Sequence, residues 1–311
     1  MIITVTANPA VDIVYVLGRE LDAFGLNRAK EAVIHGGGKG INVSRAVLRE
    51  GGEVLTLALI GGHSGRLLSD KLKEEGILLT EISSSAETRV NICTASPDGN
   101  ACEINAPGGP VTADELEALS ETLLSRVSEG DVVILAGSLP PCEGYDSKGY
   151  WASLVPKLKG KGCTVILDCS GEALRLAVNG DCPPDLIKPN LEELCELSEI
   201  DRNAVSDFCG SESEIRENTF KIAEKASERA AKKGISVLTT LGSLGSVYTS
   251  GENPVHHVRC DAVKIDEAIN IKGAGDTFLG VFAYRYFIMG QNLRDSLDSA
   301  AKSAADHVAA K

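Results

Sequence analysis

The fold is decided by the stretch Val132-Val133-Ile134-Leu135-Ala136, which continues directly into Gly137-Ser138-Leu139-Pro140-Pro141. Consecutive apolar residues that end in a turn are typical of a strand buried on both faces, as in a parallel sheet. Comparable short runs lie at residues 54–60, 163–168, 185–188 and 235–240. Residues 1–9 lack a basic segment and reach a turn at Asn8-Pro9, so we interpret them as a first strand and not as a signal peptide.

Helical patterns fill the intervals between these strands. Amphipathic segments occupy residues 41–50, 65–75, 113–127, 148–158, 191–197, 215–233, 277–288 and 293–308. Apolar strands that alternate with such helices predict an α/β protein whose parallel sheet is covered on both faces. The sequence has neither an internal repeat nor an interdomain linker, which favours a single domain over residues 1–311.

Two segments interrupt this alternation. Residues 12–35 contain strand-like pieces at 13–17 and 27–34. Residues 87–105 contain two more, at 89–94 and 101–105, around the turn Pro97-Asp98-Gly99-Asn100, a pattern that predicts a β-hairpin. We expect these pieces to form a small accessory sheet. The polar stretch 201–218 indicates a surface insertion with a turn at 207–210.

Charge and cysteine content restrict the partners and the compartment. The 311 residues include 31 Lys and Arg against 44 Asp and Glu, a net charge of −13. Such a surface repels nucleic acid and anionic membranes, so neither is an expected partner, and no apolar run approaches the roughly 20 residues that span a bilayer. The nine cysteines form no C-x-x-C pair, which favours a reducing compartment, the cytoplasm.

The segment Lys272-Gly273-Ala274-Gly275-Asp276-Thr277 lies just before a strong helix pattern. Its glycines leave backbone amides unhindered, and the helix adds the positive end of its dipole, so the segment predicts an anion hole. Asp276 would stand where a carboxylate can take a proton from a hydroxyl that attacks a phosphate. The alternative is that Asp276 only caps the helix.

A second glycine-rich segment, His35-Gly36-Gly37-Gly38-Lys39-Gly40-Ile41-Asn42, also precedes a helix. It differs from a P-loop because glycine, and not serine or threonine, follows Lys39. Free amides, a cation and a helix N-terminus suit a phosphorylated or polyhydroxylated ligand, and the Asn42 amide would lie in the first helical turn. The alternative is a glycine-rich turn with a solvated Lys39.

In Lys188-Pro189-Asn190-Leu191-Glu192-Glu193 a strand passes into a helix. Asn190 and Glu193 have the spacing of a capping box. A functional interpretation, compatible with the first, places Lys188 and Asn190 against nucleotide phosphates, with Glu193 ordering Mg²⁺ through water. The turn Thr240-Leu241-Gly242-Ser243-Leu244-Gly245 is a further place where a nucleotide could enter.

The order of these motifs along the chain resembles the ribokinase-like (PfkB) carbohydrate kinase family. The motifs that carry the resemblance are Asn8-Pro9-Ala10-Val11-Asp12, Gly37-Gly38-Lys39-Gly40-Ile41-Asn42-Val43, Glu87-Thr88-Arg89-Val90-Asn91, Gly137-Ser138-Leu139-Pro140, Lys188-Pro189-Asn190-x-x-Glu193 and Gly273-Ala274-Gly275-Asp276. The resemblance spans nearly the whole chain. It implies a three-layer α/β/α sandwich with a mainly parallel sheet and a small β-sheet lid, formed by segments about 12–35 and 87–106, that serves as a homodimer interface.

The resemblance also implies a role for individual positions. Asp276 is similar to the family's catalytic base, and Gly273, Ala274 and Gly275 are similar to its anion hole. The residues implied to bind the sugar phosphate are Asp12, Arg28, Gly38, Lys39, Asn42, Arg89 and Ser138. The residues implied to bind ATP are Lys188, Asn190, Thr240, Gly242, Gly245 and Gly275, with Glu193 ordering Mg²⁺ through water.

The cations favour a substrate that already carries a phosphate. Lys39 stands where family members that act on neutral sugars usually lack a lysine, and it would join Arg28 and Arg89 around a phosphate dianion. The segment 88–92, with 103–108, resembles kinases of fructose 1-phosphate, whereas residues 12–15 resemble kinases of tagatose 6-phosphate. We therefore expect ATP-dependent phosphorylation of D-fructose 1-phosphate. The alternatives are a kinase of tagatose 6-phosphate or fructose 6-phosphate, and a non-catalytic sugar-phosphate sensor.

One position departs from the family pattern. Asn270-Ile271-Lys272 precedes the glycine motif where a Thr-Val or Pro-Val pair is more usual. The ammonium group of Lys272 would help to hold phosphate or would point away from it, and the sequence leaves both open.

Overall fold

A computed structural model of the chain describes residues 1–97, 101–200, 210–265 and 272–310. In chain order its strands are β1 (Ile2–Thr6), β2 (Ala10–Leu17), β3 (Ala29–Gly37), β4 (Val54–Ile60), β5 (Leu79–Ser83), β6 (Arg89–Ala95), β7 (Ala101–Ile104), β8 (Val132–Ala136), β9 (Thr164–Asp168), β10 (Leu186–Ile187), β11 (Ser236–Thr240), β12 (Gly245–Thr249) and β13 (His257–Asp261).

The helices of the described residues alternate with most of these strands. They are α1 (Lys39–Arg49), α2 (Gly62–Glu74), α3 (Ala113–Arg126), α4 (Tyr150–Lys159), α5 (Gly171–Asn179), α6 (Leu191–Ser198), α7 (Glu212–Ala231), α8 (Ala274–Ala283) and α9 (Leu293–Ala309). A π-helical turn at Tyr284–Ile288 continues α8.

The large sheet has nine strands in the order β13-β12-β11-β10-β9-β8-β1-β4-β5. Its strands from β11 to β5 pair in parallel, and β12 pairs antiparallel with both of its neighbours. Alternate residues of β1 supply both cores, because successive side chains of a strand point to opposite faces. Ile3 faces the side covered by α3 to α7, whereas Ile2 faces the side covered by α1, α8 and α9. The predicted α/β sandwich with a mainly parallel sheet is confirmed.

The fold differs from the sequence prediction in several places. Helix α5 and strand β5 lie in segments for which the sequence patterns predict no element. The helix predicted at 277–288 begins earlier, at Ala274, because Gly273 takes a left-handed conformation (φ 83°) that starts the helix there. The predicted turns at 97–100 and 207–210 fall largely outside the described residues, as does the beginning of the proposed insertion at 201–218.

A separate small sheet has the strand order β3-β2-β6-β7. Strands β6 and β7 pair antiparallel, as the predicted hairpin requires, and β2 pairs in parallel with β6. The register gives the small sheet two different faces. Asp12 lies opposite His35 and Asn91 on one face, and Ile13 lies in a row with isoleucines on the other. That row consists of Ile34, Ile13, Ile92 and Ile104.

Candidate functional site

The candidate site lies along the carboxyl edge of the large sheet. The side chains of interest either end a parallel strand or follow one within two residues, because parallel strands end at the same edge, where open α/β sheets bind ligands. These residues are Asn8 after β1, Ser138 after β8, Asp168 at the end of β9, Lys188 after β10 and Thr240 at the end of β11.

Helix α8 presents its N-terminus at this edge. Its N-cap is Gly273, so Asp276 is not the capping residue, and the alternative that it only caps the helix is excluded. Asp276 lies in the first turn and is 8% exposed. Burial, and next the Asp168 carboxylate, raise the pKa of Asp276, while Lys188 and a hydrogen bond from Asn42 oppose the rise. The result is a desolvated carboxylate beside free helical amides, a suitable setting for a general base.

A buried carboxylate joins two of the predicted cations. Asp168 is fully buried, and its Oδ1 accepts a hydrogen bond from Lys39 Nζ at 2.8 Å. Its Oδ2 forms an ion pair with Lys188 Nζ at 3.1 Å. Burial alone would raise the pKa of Asp168, but the ammonium groups of Lys188 and Lys39 bring it below its usual value. Lys39, predicted to bind the sugar phosphate, and Lys188, predicted to bind the nucleotide, therefore share Asp168 as their counterion.

Helix α1 connects this pair to the catalytic candidate. The helix starts after Gly38, whose φ of 133° favours glycine, and a Cβ at Gly38 would approach Thr6 within 2.8 Å. One turn later, Asn42 Nδ2 donates a hydrogen bond to Asp276 Oδ2 at 2.8 Å. Asn42 Oδ1 accepts one from Arg45 Nη1 at 2.7 Å, which fixes the side-chain amide in this orientation. Asn42 thus contacts the proposed base directly.

The small sheet contributes a second carboxylate. Asp12 Oδ1 accepts a hydrogen bond from Asn91 Nδ2 at 2.7 Å. Asp12 Oδ2 lies 3.2 Å from Lys272 Nζ, which directly precedes the helix start at Gly273. The structure thereby settles the open orientation of Lys272, because its ammonium group points to the small sheet.

Arg89 is the first residue of β6 and lies at the end of the small sheet where β2 also begins. It donates hydrogen bonds to the carbonyl oxygens of Ala106 at 2.9 Å and of Asn8 at 3.0 Å, and its Nε is buried without a partner. Burial lowers the pKa of Arg89, partly opposed by Asp12. Asn8 also donates to Ser138 Oγ at 3.3 Å, which brings Ser138 into the same cluster.

Arg28 is not a neighbour of Arg89 within one chain. Arg89 pairs with Ala10 at one end of β2, and Arg28 directly precedes Ala29, which pairs with Leu17 at the other end. These pairings lie seven steps apart along β2, a distance of about 23 Å at the usual rise per strand residue. Arg28 is exposed there. The predicted joint binding of one phosphate by both arginines is therefore not possible within a single chain in this conformation.

The nucleotide candidates meet at the end of β11. Asn190 and Glu193 form the predicted capping box of α6, with hydrogen bonds of 2.8 and 2.9 Å. A β-bridge joins Asn190 to Thr240. The turn that follows contains Gly242 (φ 59°) and Gly245 (φ 116°), and a Cβ at Gly245 would come within 2.1 Å of the Cys260 carbonyl oxygen. The capping role is confirmed, and the contact to nucleotide stays a prediction.

The donor set suits a magnesium ion that is held mainly by phosphates and water. Among the described residues no group of three His, Cys, Asp or Glu side chains could hold a metal ion. Mg²⁺ keeps several waters and needs only one or two carboxylates when substrate phosphates bind it. Burial opposes the charge of Lys39, but Asp168 and, to a smaller extent, Glu193 raise the pKa of its ammonium group, so the Glu193 carboxylate belongs to this part of the site. Its use of Oε2 for the cap leaves Oε1 for an ordered water.

Sequence reasoning missed Asp168, Asn8 as a side chain, and Asn91 as a partner of Asp12. Asp168 carried a usable signal, since a charged residue that ends an apolar strand lies at the ligand-binding edge of the sheet. Asn91 carried a weaker one, because it alternates with the apolar residues Val90 and Ile92 on the other face of β6.

A buried carboxylate at a helix N-terminus, beside two lysines that share one counterion at the edge of an α/β sheet, is an arrangement compatible with phosphoryl transfer. The family model described as "pfkB family carbohydrate kinase" matches residues 6–310. The chain therefore belongs to the PfkB family of carbohydrate kinases and is a sugar kinase. Carbohydrate kinases of this family use ATP, generally with a divalent metal.

Solved structures agree with this fold. Phosphofructokinase-2 from Escherichia coli in complex with fructose-6-phosphate is 24% identical, with a TM-score of 0.83, over 98% of this chain and 92% of that one. A tetrameric inhibited form of the same enzyme is 25% identical, with a TM-score of 0.81, over 99% and 93%. A putative phosphofructokinase from Staphylococcus aureus is 26% identical (TM-score 0.73), and a possible 1-phosphofructokinase from Thermotoga maritima is 24% identical (TM-score 0.79); each comparison covers 100% and 92%.

Across the parts of the chain that the structure describes, no helix combines the length and the apolar character needed to cross a bilayer.

Proposed function

We propose that the protein transfers the γ-phosphoryl group of ATP to a ketohexose monophosphate, with D-fructose 1-phosphate as the acceptor and D-fructose 1,6-bisphosphate as the product. The observation that carries the proposal is the position of Asp276. Its buried carboxylate stands in the first turn of α8, contacts Asn42, and faces the lysine pair around Asp168. A binding protein would need the lysines but would not need a desolvated base at a helix N-terminus.

The residues divide the reaction between them. Asp276 would take the proton of the attacking sugar hydroxyl as its oxygen bonds to the γ-phosphorus and the bond to the β-phosphate oxygen breaks. The amides of residues 274–276 would stabilise the charge on the transferring group, because they belong to the helix start and have no intrahelical acceptor. Lys188 Nζ lies near Gly275, since a Cβ there would approach it within 3.5 Å, and so it can reach the same phosphates.

Magnesium, when bound, neutralises charge on the ATP phosphates. Glu193 would hold the hydrated ion through Oε1, the carboxylate oxygen that the helix cap does not use, and its carboxylate acts electrostatically on Lys39. Asn190 and Thr240, joined by the bridge at the end of β11, would line the nucleotide side together with Gly242 and Gly245.

The substrate phosphate would bind at the end of the small sheet where β2 and β6 begin. Arg89 is anchored there by two carbonyl oxygens, and Nη1 and Nη2 each keep a second N–H that can donate to a phosphate oxygen. Asp12 would accept sugar hydroxyls on the polar face of the small sheet. Closure of the small sheet as a lid would keep water from the transferring phosphoryl group.

The outer part of the small sheet supports a homodimer. Ile34 and Ile92 are 36% exposed and Ile104 is 63% exposed, although all three lie in one cross-strand row with Ile13. Ile13 itself packs against the buried cluster that includes Leu68 and Leu72 of α2, so the exposed isoleucines lie on either side of it in the row. A second copy packed on this face would bury the exposed isoleucines, and each copy would bring its Arg28 to the active site of the other.

The compartment proposed from sequence is the cytoplasm. Eight described cysteines are all free thiols, which suits a reducing environment.

The test is an ADP-release assay with Mg-ATP and four acceptors: fructose 1-phosphate, tagatose 6-phosphate, fructose 6-phosphate and fructose. We expect the highest kcat/KM for fructose 1-phosphate and the lowest for fructose. Preference for a 6-phosphate would reassign the acceptor and retain the base and the phosphate site. Tight binding of a sugar phosphate without any ADP release would replace the kinase by a sugar-phosphate sensor.

A further inference from the structure

Lys272 lies where the small sheet meets the anion hole. It directly precedes Gly273, the residue that starts α8, and its Nζ lies 3.2 Å from Asp12 Oδ2 of β2. Its carbonyl oxygen accepts a hydrogen bond from His307 Nε2 of α9 at 2.7 Å. The backbone of Lys272 is thus fixed to the large sheet's helices, whereas its side chain reaches the small sheet.

The Asp12 carboxylate is held from more than one side. Asn91 donates to Oδ1 and Lys272 approaches Oδ2, while Gly37 leaves so little room that a Cβ there would come 2.4 Å from Oδ2. The side chain of Asp12 is only 15% exposed. Each carboxylate oxygen has two lone pairs, so both oxygens can still accept a sugar hydroxyl. A carboxylate oriented in advance loses less entropy when the sugar binds.

We propose that Lys272 is a positioning residue for sugar binding. It acts through Asp12, whose carboxylate it orients for a sugar hydroxyl, and by the same contact it joins the small sheet to the anion-hole segment. The identity of the ligand rests on the proposed function. Asn91 also contacts Asp12, but it cannot connect the small sheet to the anion-hole segment, because both residues belong to the small sheet.

The first experiment needs no substrate. Hydrogen–deuterium exchange of the ligand-free protein is compared for wild type, Lys272→Met, Lys272→Arg and Lys302→Met. Lys302 lies on the exposed side of α9 and serves as the matched control. We expect exchange about threefold to fivefold faster in residues 10–17 and 29–37 of Lys272→Met alone, because one contact between the small sheet and the anion-hole segment is lost.

The second experiment separates a role through Asp12 from a direct one. In Lys272→Met we expect KM for fructose 1-phosphate to rise about fivefold to tenfold, KM for ATP to change less than twofold, and Lys272→Arg to restore most of the loss. In an Asp12→Asn background the effect of Lys272→Met on the sugar KM should disappear, since there is no carboxylate left to orient.

Specific results would overturn the inference. Equal effects of Lys272→Met in the wild-type and Asp12→Asn backgrounds, or a loss in kcat with the sugar KM unchanged, would show that Lys272 acts on the transferring phosphoryl group instead. If wild type phosphorylates none of the four acceptors, the proposed function fails. The exchange experiment still tests whether Lys272 connects the small sheet to the anion-hole segment. Exchange in Lys272→Met equal to that in Lys302→Met would then refute it.

Discussion

At the residue scale, function and stability make opposite demands on Asp276. Its pKa is raised, first by burial and then by Asp168, so the folded protein holds the Asp276 proton more tightly than the unfolded chain does. That contribution favours the folded state below the unfolded pKa of about 3.9 and is lost as the pH rises through the folded value. At neutral pH the ionised Asp276 carboxylate therefore costs stability, as expected if it is the proposed base.

Asp276→Asn should consequently inactivate and stabilise the protein at once. We expect kcat to fall about 10³-fold, because the proton acceptor is removed while the amide oxygen can still accept from Asn42. The melting temperature should rise by about 2 °C at pH 7.5, and the gain should shrink towards pH 4.5. Kinetics and calorimetry at both pH values measure this. A kcat within tenfold of wild type would remove Asp276 from the role of base.

Asn42 affects the pKa of the Asp276 carboxylate. Its hydrogen bond to Asp276 Oδ2 favours the ionised form and so lowers the pKa. Loss of that bond in Asn42→Ala should move the acid limb of the kcat–pH profile to higher pH, and Asn42→Asp should move it further because a like charge is added. The profile is recorded at saturating substrates. An acid limb that stays in place in both variants would contradict a titrating Asp276.

At the scale of elements, Asp168 holds three segments together. It ends β9, and its ion pairs reach Lys39 at the start of α1 and Lys188 after β10. Removal of its charge would leave two ammonium groups without their counterion, and breaking a buried pair typically costs about 3–5 kcal/mol. The lowered pKa of Asp168 means that its stabilisation is present above the unfolded value and is lost as the pH falls through the folded one.

We therefore expect Asp168→Asn to lower the free energy of unfolding by about 3 kcal/mol at pH 7, measured by urea denaturation. Asp261→Asn is the control, because the Asp261–Arg216 pair is on the surface, with Asp261 72% exposed, and such pairs contribute about 0–1 kcal/mol. Equal effects of the two substitutions would mean that Asp168 is not a structural junction.

The helices and strands also show which parts of the fold can be predicted from local sequence patterns. Short apolar runs predict most strands of the large sheet, since burial on both faces requires them, and the hairpin at 89–105 follows from a turn between two strand-like pieces. Asp168 was missed because its partners are far away in the chain, and no local spacing reports a contact that only the sheet order creates.

The orientation of a side chain is equally hidden from the sequence. Lys272 is adjacent to the anion hole in the chain, yet its ammonium group pairs with Asp12 of the small sheet. Arg28 and Arg89 belong to the same small sheet, yet strand register places them at opposite ends. Motif order identified the family, whereas these two placements depend on tertiary pairing.

At the scale of the whole molecule, the small sheet has a polar face with Asp12 and an apolar face with the isoleucine row. Burial of three exposed isoleucines against a second copy would stabilise a dimer, at about 25 cal/mol per Å² of apolar surface removed from water. We expect Ile104→Glu to shift the proposed dimer to monomer in light scattering, because it places a charge at the most exposed isoleucine of that surface.

The control for the dimer is Ile215→Glu, since Ile215 of α7 is also exposed (37%) and lies on the helical layer, away from the small sheet. It should leave the dimer intact. If the Arg28 of one copy binds the substrate phosphate of the other, Ile104→Glu and Arg28→Met should both raise KM for the sugar phosphate, and the double variant should be no worse than Ile104→Glu alone. A monomeric wild type with full activity would refute both the interface and the role of Arg28, because strand register keeps Arg28 away from the phosphate site of its own chain.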